Sequence, residues 1–183
     1  MRKQVLFIHS AGSQNLHQGS SDLKAYLQKA FSDEYILLDP DMPDPENPKY
    51  TLWKDQLDKV FASLDSGVIL IGHSLGGSVL LKYLSEEVCT QTVAGLFMIA
   101  APYWGEDNDW LAEEYTLSED FALKLPPISQ IFLYHSCYDE IVPPVHLEHY
   151  MRKLPQANIR MLDGSEHAFS DGVPELIDDI KEL

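Results

Sequence analysis

Cysteine is scarce in this chain: Cys89 and Cys137 are the two among 183 residues. They could form one bridge at most, so a disulfide scaffold is excluded as the basis of the fold. Free buried thiols and a reducing, cytoplasmic compartment are the expectation. Long apolar runs are missing as well. No uninterrupted apolar stretch approaches the length of a membrane span, which predicts a globular protein without a transmembrane helix. The run Val5-Leu6-Phe7-Ile8 behind Met1-Arg2-Lys3 is too short for a secretory apolar region and reads as a first core strand. Positive charge is also in deficit. Thirteen Lys and Arg face 29 Asp and Glu, a formal net charge of −16. Such a chain repels phosphate backbones and anionic lipid surfaces, so neither nucleic acid nor membrane is an expected partner. Neutral or cationic small molecules remain open, and nothing in the sequence points to a protein partner. Internal repeats and low-complexity linkers are absent too. With 45% hydrophobic residues, the chain is long enough for one domain with a substantial core, residues 1–183.

What is present is an alternation of strand and helix patterns, as in a doubly wound α/β domain. Residues 5–9, 35–38, 68–73, 93–100, 129–135 and 158–162 read as strands. Ser20 or Ser21 caps a helix reaching about residue 31, with Leu23, Tyr26, Leu27, Ala30 and Phe31 at helical spacing. Pro40, Pro43, Pro45 and Pro48 then forbid regular structure before a helix at about 51–64. Its apolar face is expected to carry Leu52, Trp53, Leu57, Val60, Phe61 and Leu64. Further helices are predicted from the nucleophile turn to about residue 87, from Pro143 or Pro144 to 154, and over 173–182.

The densest signal is Val68-Ile69-Leu70-Ile71-Gly72-His73-Ser74-Leu75-Gly76-Gly77-Ser78-Val79-Leu80: an apolar strand, Gly-x-Ser-x-Gly, then an apolar helix. A serine on a sharp strand-to-helix turn needs small neighbours, and its hydroxyl stands exposed at the strand tip. Ser74 is therefore a candidate nucleophile, and the Leu75 amide opens a helix where unpaired N–H groups favour an oxyanion. A serine hydroxyl needs a base and an acid to orient that base. The loop after strand 129–135 offers Asp139, and the loop after strand 158–162 offers His167. The chain order Ser, acid, His fits the topology in which all three fall beyond the carboxyl ends of parallel strands. Glu140 competes with Asp139, but adjacent side chains cannot both point to one imidazole; Asp139, three residues before Val142-Pro143, is preferred. Glu166 is a more distant candidate, expected to face solvent.

Through Gly72-His73-Ser74-Leu75-Gly76, Asp139-Glu140-Ile141-Val142-Pro143 and Gly164-Ser165-Glu166-His167, the chain resembles the α/β-hydrolase superfamily. It is most similar to the small serine hydrolases typified by the retinoblastoma-binding hydrolase and its bacterial relatives. That closer likeness rests on the compact length and on Asp41-Met42-Pro43-Asp44-Pro45-Glu46-Asn47-Pro48 leading to Trp53. The resemblance implies a compact three-layer fold, a mostly parallel sheet with helices on both faces. It also implies a second oxyanion amide from Ala11, although His9-Ser10-Ala11-Gly12 departs from the His-Gly usual after the first strand. The implied chemistry is acyl transfer to water through Ser74, His167 and Asp139, with no metal or organic cofactor. A carboxylesterase acting on a small ester-like substrate leads, with thioesterase or amidase as variants. A protein-binding or regulatory module on the same scaffold is the alternative of a different class.

Residues 102–127 are the one irregular insertion and hold Tyr103, Trp104, Trp110, Tyr115 and Phe121 among acidic residues. An aromatic lid shaping the substrate site and a surface excursion docked on the domain explain it equally well. His146 and His149 sit three apart on a predicted helix, near enough for two metal ligands, but no third ligand accompanies them and a solvated helix face is expected. His9, His73 and His135 are expected in structural roles, with His9 orienting the oxyanion loop. His17 and the 10–20 loop are candidates to line the pocket.

Overall fold

The computed structural model describes residues 2–164 and 166–183. Among them six strands form one all-parallel sheet: β1 (Lys3–Ile8), β2 (Tyr35–Leu38), β3 (Val68–His73), β4 (Val93–Ile99), β5 (Ile128–Ser136) and β6 (Asn158–Leu162). Their order is β2-β1-β3-β4-β5-β6. Helices α1 (Ser21–Ala30), α2 (Tyr50–Phe61), α3 (Leu75–Glu86), α4 (Phe121–Lys124), α5 (Val145–Lys153) and α6 (Pro174–Lys181) connect the strands or flank them. No helix among the described residues is long and apolar enough to cross a membrane.

Alternation along the strands divides the core into two layers. Val5 and Phe7 of β1 face α1 and α6, packing with Leu23, Leu27, Leu176 and Ile180; Leu6 and Ile8 face the other way, toward Trp53, Leu57, Val79 and Leu80. β3 is central and buried along its whole length, which is why it reads as an unbroken apolar run. The expected three-layer α/β arrangement is the observed one. Helix α2 differs in detail. It begins at Tyr50, whose ring is buried, and Leu52 is exposed. Positions 50, 53, 57 and 61 lie on one helical stripe, and 52 falls about 100° off its neighbour Trp53. Cys89 and Cys137 are free, as expected, but only half-buried.

The chain leaves β1 toward β2 on one side and returns through β3 on the other. The loops that follow β1 and β3 therefore leave in opposite directions and flank a crevice beyond the carboxyl ends of the strands, the place where open α/β sheets hold ligands. The loop after β1 and the turn carrying Ser74 flank that crevice.

Candidate active site

Ser74 sits between β3 and α3 at φ 52° and ψ −123°, a conformation that L-residues rarely adopt and that persists only when the surroundings enforce it. The enforcement is visible. A side chain at Gly72 would strike the Gly77 backbone, and one at Gly76 would strike the carbonyl oxygens of Ile8 and His9 at the end of β1. The two glycines let α3 press against β1 and β3, and the Ser74 amide donates to the Ile99 carbonyl at 2.8 Å. Leu75 becomes the first helical residue, where an N–H has no intrahelical acceptor.

The loops after β5 and β6 bring the other two predicted residues to this turn. Ser74 Oγ lies 2.9 Å from His167 Nε2, and His167 Nδ1 lies 2.8 Å from Asp139 Oδ2. A carboxylate only accepts, so Nδ1–H donates to Asp139 and Nε2 is left to accept from the serine hydroxyl. Asp139 has no exposed side-chain surface. Its Oδ1 accepts from the amides of Ile141 and Val142, each at 2.9 Å. Burial pushes its carboxyl up, but the His167 hydrogen bond and these backbone amides outweigh burial and hold it below the ordinary carboxylate value. Glu140 is exposed. Glu166 is exposed as well and accepts hydrogen bonds from Ser170. His135 donates through Nε2 to the Val142 carbonyl at 2.8 Å and so steadies the loop that presents Asp139.

Ala11 and Leu75 line the same cavity as Ser74 and His167, a crevice of about 410 Å³ whose remaining walls are mainly apolar. The loop lacks the usual glycine, yet it is tied down on several sides. The Ser10 carbonyl accepts from His9 Nδ1 at 2.7 Å and from Gln14 Nε2 at 3.1 Å. In a planar trans peptide the next N–H points away from that carbonyl, so anchoring the oxygen fixes the aim of the Ala11 amide. His9 plays the expected part, with Nε2 accepting from the Met42 amide at 3.3 Å. Gln14 and Ser20 escaped the sequence reading. Ser20 looked like a helix cap, but its hydroxyl caps nothing and instead bonds Ser10 and His73. No local pattern announces such partners.

The family model for serine hydrolases matches residues 16–171. The chain belongs to the serine hydrolase family. Comparison of this hydrolase with curated proteins gives no match. Its fold is similar to that of the ydeN gene product from B. subtilis, with TM-score 0.79, 20% identity, and 98% of this chain and 97% of that one covered. Esterase PE8 aligns at TM-score 0.70 and 17% identity over 100% of this chain and 93% of the other. A methylesterase from Arabidopsis aligns at 0.64 and 18% over 99% and 100%. At these identities the likenesses establish the shared α/β-hydrolase fold.

In the hydrolase the insertion after β4 both docks and lines the cavity. Tyr103, Tyr115 and Phe121 are buried in the core, and Tyr115 also lines the crevice together with Trp104 and Trp110, with Trp104 5.0 Å from each of the other two crevice rings. Two expectations about histidines need correction. His146 is completely buried and His149 nearly so; Trp110 packs on His146, Tyr103 on His149, and the Asp107 carboxylate lies 3.3 Å from His149 Nε2. Helical spacing put the two on one face, but the insertion folds over that face and excludes solvent from it. Among the described residues no three His, Cys, Asp or Glu side chains are placed to hold a metal ion. His17 is exposed, pairs with Asp22 and does not line the cavity; Ser10, Ala11 and Gly19 are the members of its loop that do.

Proposed function

We propose that this serine hydrolase is a carboxylesterase acting on small neutral esters through Ser74, His167 and Asp139. The observation that carries the reading is the hydrogen-bonded order Ser74–His167–Asp139 opening into an apolar crevice. Ser74 Oγ attacks the ester carbonyl as His167 Nε2 takes its proton, and Asp139 holds the tautomer that leaves Nε2 free and stabilises the imidazolium formed. Negative charge gathers on the carbonyl oxygen, where the Leu75 amide at the start of α3 and the Ala11 amide are the donors. His167 then protonates the departing alcohol. Water repeats the sequence on the acyl-enzyme and releases the acid. The mostly apolar lining suits an uncharged acyl group, and the charge of −16 works against anionic substrates. Free thiols at Cys89 and Cys137 fit a cytoplasmic location. No observation favours a binding module over an enzyme, since the strained elbow and the aligned imidazole serve no contact surface. Labelling with a fluorophosphonate followed by peptide mapping tests the reading, with modification at Ser74 expected. A folded protein that resists the reagent refutes it. An unbiased screen of esters, thioesters and amides then separates the three activities.

A further inference from the structure

Ser20 and His73 belong to neither the nucleophile, the base, nor the acid, yet both are buried to within 1% of full and joined to each other across 53 residues of chain. The Ser10 amide donates to Ser20 Oγ at 2.7 Å. Ser20 Oγ lies 2.7 Å from His73 Nδ1, and His73 Nε2 lies 2.8 Å from the backbone carbonyl of His167. The directions follow without ambiguity. A carbonyl only accepts, so Nε2 carries a proton and donates it. Burial holds the His73 pKa down at about 3, so the ring is neutral and Nδ1 accepts. The single proton of Ser20 therefore goes to His73, and its oxygen receives the Ser10 amide. One polar chain runs from the loop after β1 to the loop after β6.

The two ends of that chain matter. At one end is the residue whose peptide bears the Ala11 amide; at the other is the backbone of the base itself. Both nitrogens of His73 are engaged, which leaves it no place to shuttle protons. Its ring also lies beside that of His167, with centroids 5.2 Å apart. We propose that Ser20 and His73 are positioning residues that lock the Ser10–Ala11 oxyanion loop and the His167 loop into one register. The inference rests on the esterase reading of Ser74 and His167 and extends it to residues outside the reacting atoms. It also accounts for a loop that works without the usual glycine, because long-range hydrogen bonds supply the geometry.

The test compares wild type, Ser20→Ala and Ser20→Thr on p-nitrophenyl acetate and its thionoacetate analogue, with competent sites counted by fluorophosphonate titration. Sulfur in place of the carbonyl oxygen is a poor acceptor, so an intact pair of oxyanion amides favours the oxo ester. Ser20→Ala is expected to lower kcat roughly 10- to 100-fold, to leave KM within about threefold, and to shrink the oxo-to-thiono preference at least about fivefold. Ser20→Thr, which keeps the hydroxyl, should retain most of both. Unchanged kcat in Ser20→Ala, or equal losses on the two substrates, overturns the positioning role while leaving the esterase reading standing. Wild type that neither labels nor hydrolyses any ester overturns the esterase reading, and the positioning role with it. The chain has its own readout in wild type, independent of turnover and of how the variants fold. Nitrogen-15 NMR should find His73 as the neutral Nε2–H tautomer at about pH 6, and an Nδ1–H tautomer or a charged ring there overturns the proposal.

Discussion

At the scale of single residues, the proposed triad is expected to act as a unit. Removing Ser74 or His167 should each lower turnover by roughly 10⁴- to 10⁶-fold, and the double substitution Ser74→Ala/His167→Ala should be little worse than either alone, because the base has no task without the nucleophile. Steady-state rates of the purified variants decide it; losses that multiply would contradict the mechanism. Asp139, the proposed acid, is distinguished from its neighbour Glu140 by burial and by partners. Asp139→Asn is expected to cost on the order of 10³ to 10⁴ in kcat with the fold intact, while exposed Glu140→Gln costs less than about tenfold. A reversed ranking would reassign the role. These residues were legible because each carries a local signal: glycines around Ser74, and a polar loop behind an apolar strand for Asp139 and His167. Ser20, His73 and Gln14 carry none. Their partners lie tens of residues away, and a hydrogen bond between distant loops leaves no periodicity in the sequence.

At the scale of elements, strands and helices could be read from spacing, but the burial of a helix face depends on what the rest of the chain lays over it. α5 shows this: positions 146, 149 and 150 share a face by periodicity, and the irregular insertion decides that the face is dry. The same insertion is a fixed wall. The Tyr50 amide donates to Glu114 Oε2, Tyr115 donates its hydroxyl to the Pro48 carbonyl, and Lys82 Nζ donates to the Thr116 carbonyl, each at 2.9 Å. Ser78 and Tyr150 both donate to the Pro102 carbonyl, at 2.6 and 2.7 Å. Pinned at its start and in its middle, the wall sets the depth of the crevice in advance. Wild type should therefore peak on acyl groups of roughly two to six carbons, since each further methylene contributes about 0.8 kcal/mol only while it is enclosed. Trp110→Ala removes an indole from the wall. Two further methylenes enclosed there correspond to about a tenfold gain in kcat/KM for octanoate over acetate relative to wild type. p-Nitrophenyl esters measured in detergent-free buffer give the ratio, and an unmoved ratio would place the acyl group elsewhere in the crevice.

At the scale of the whole molecule, buried neutral histidines link stability to pH. His73, His135 and His146 are at most 1% exposed, and burial lowers the pKa of each below its ordinary value, that of His73 to about 3. In the unfolded chain the same rings take up protons around pH 6.5. Below that pH the unfolded state binds more protons than the folded one, so stability is complete above about pH 6.5 and falls as the pH falls toward the folded-state values. The sign is opposite to that of a histidine gaining a carboxylate partner. Asp139 and Asp179, whose carboxyls are held below the ordinary value, add losses only at lower pH, as the medium falls through the carboxylate range. For His73 alone, moving from pH 7.5 to 5.5 costs on the order of 1 kcal/mol. In a chain of this length that is a fall of about 2–4 °C in Tm, and His135 and His146 deepen it. Thermal unfolding followed by circular dichroism at constant ionic strength should therefore show Tm dropping by at least about 5 °C over that interval, before most carboxylates titrate. His73→Gln, which has no ring to titrate, should be less stable at neutral pH, through the broken hydrogen-bonded chain, yet show a shallower slope. A Tm that holds level or rises between pH 7.5 and 5.5 would mean that these rings are not held neutral in the fold, and that solvent reaches the joint between the two loops.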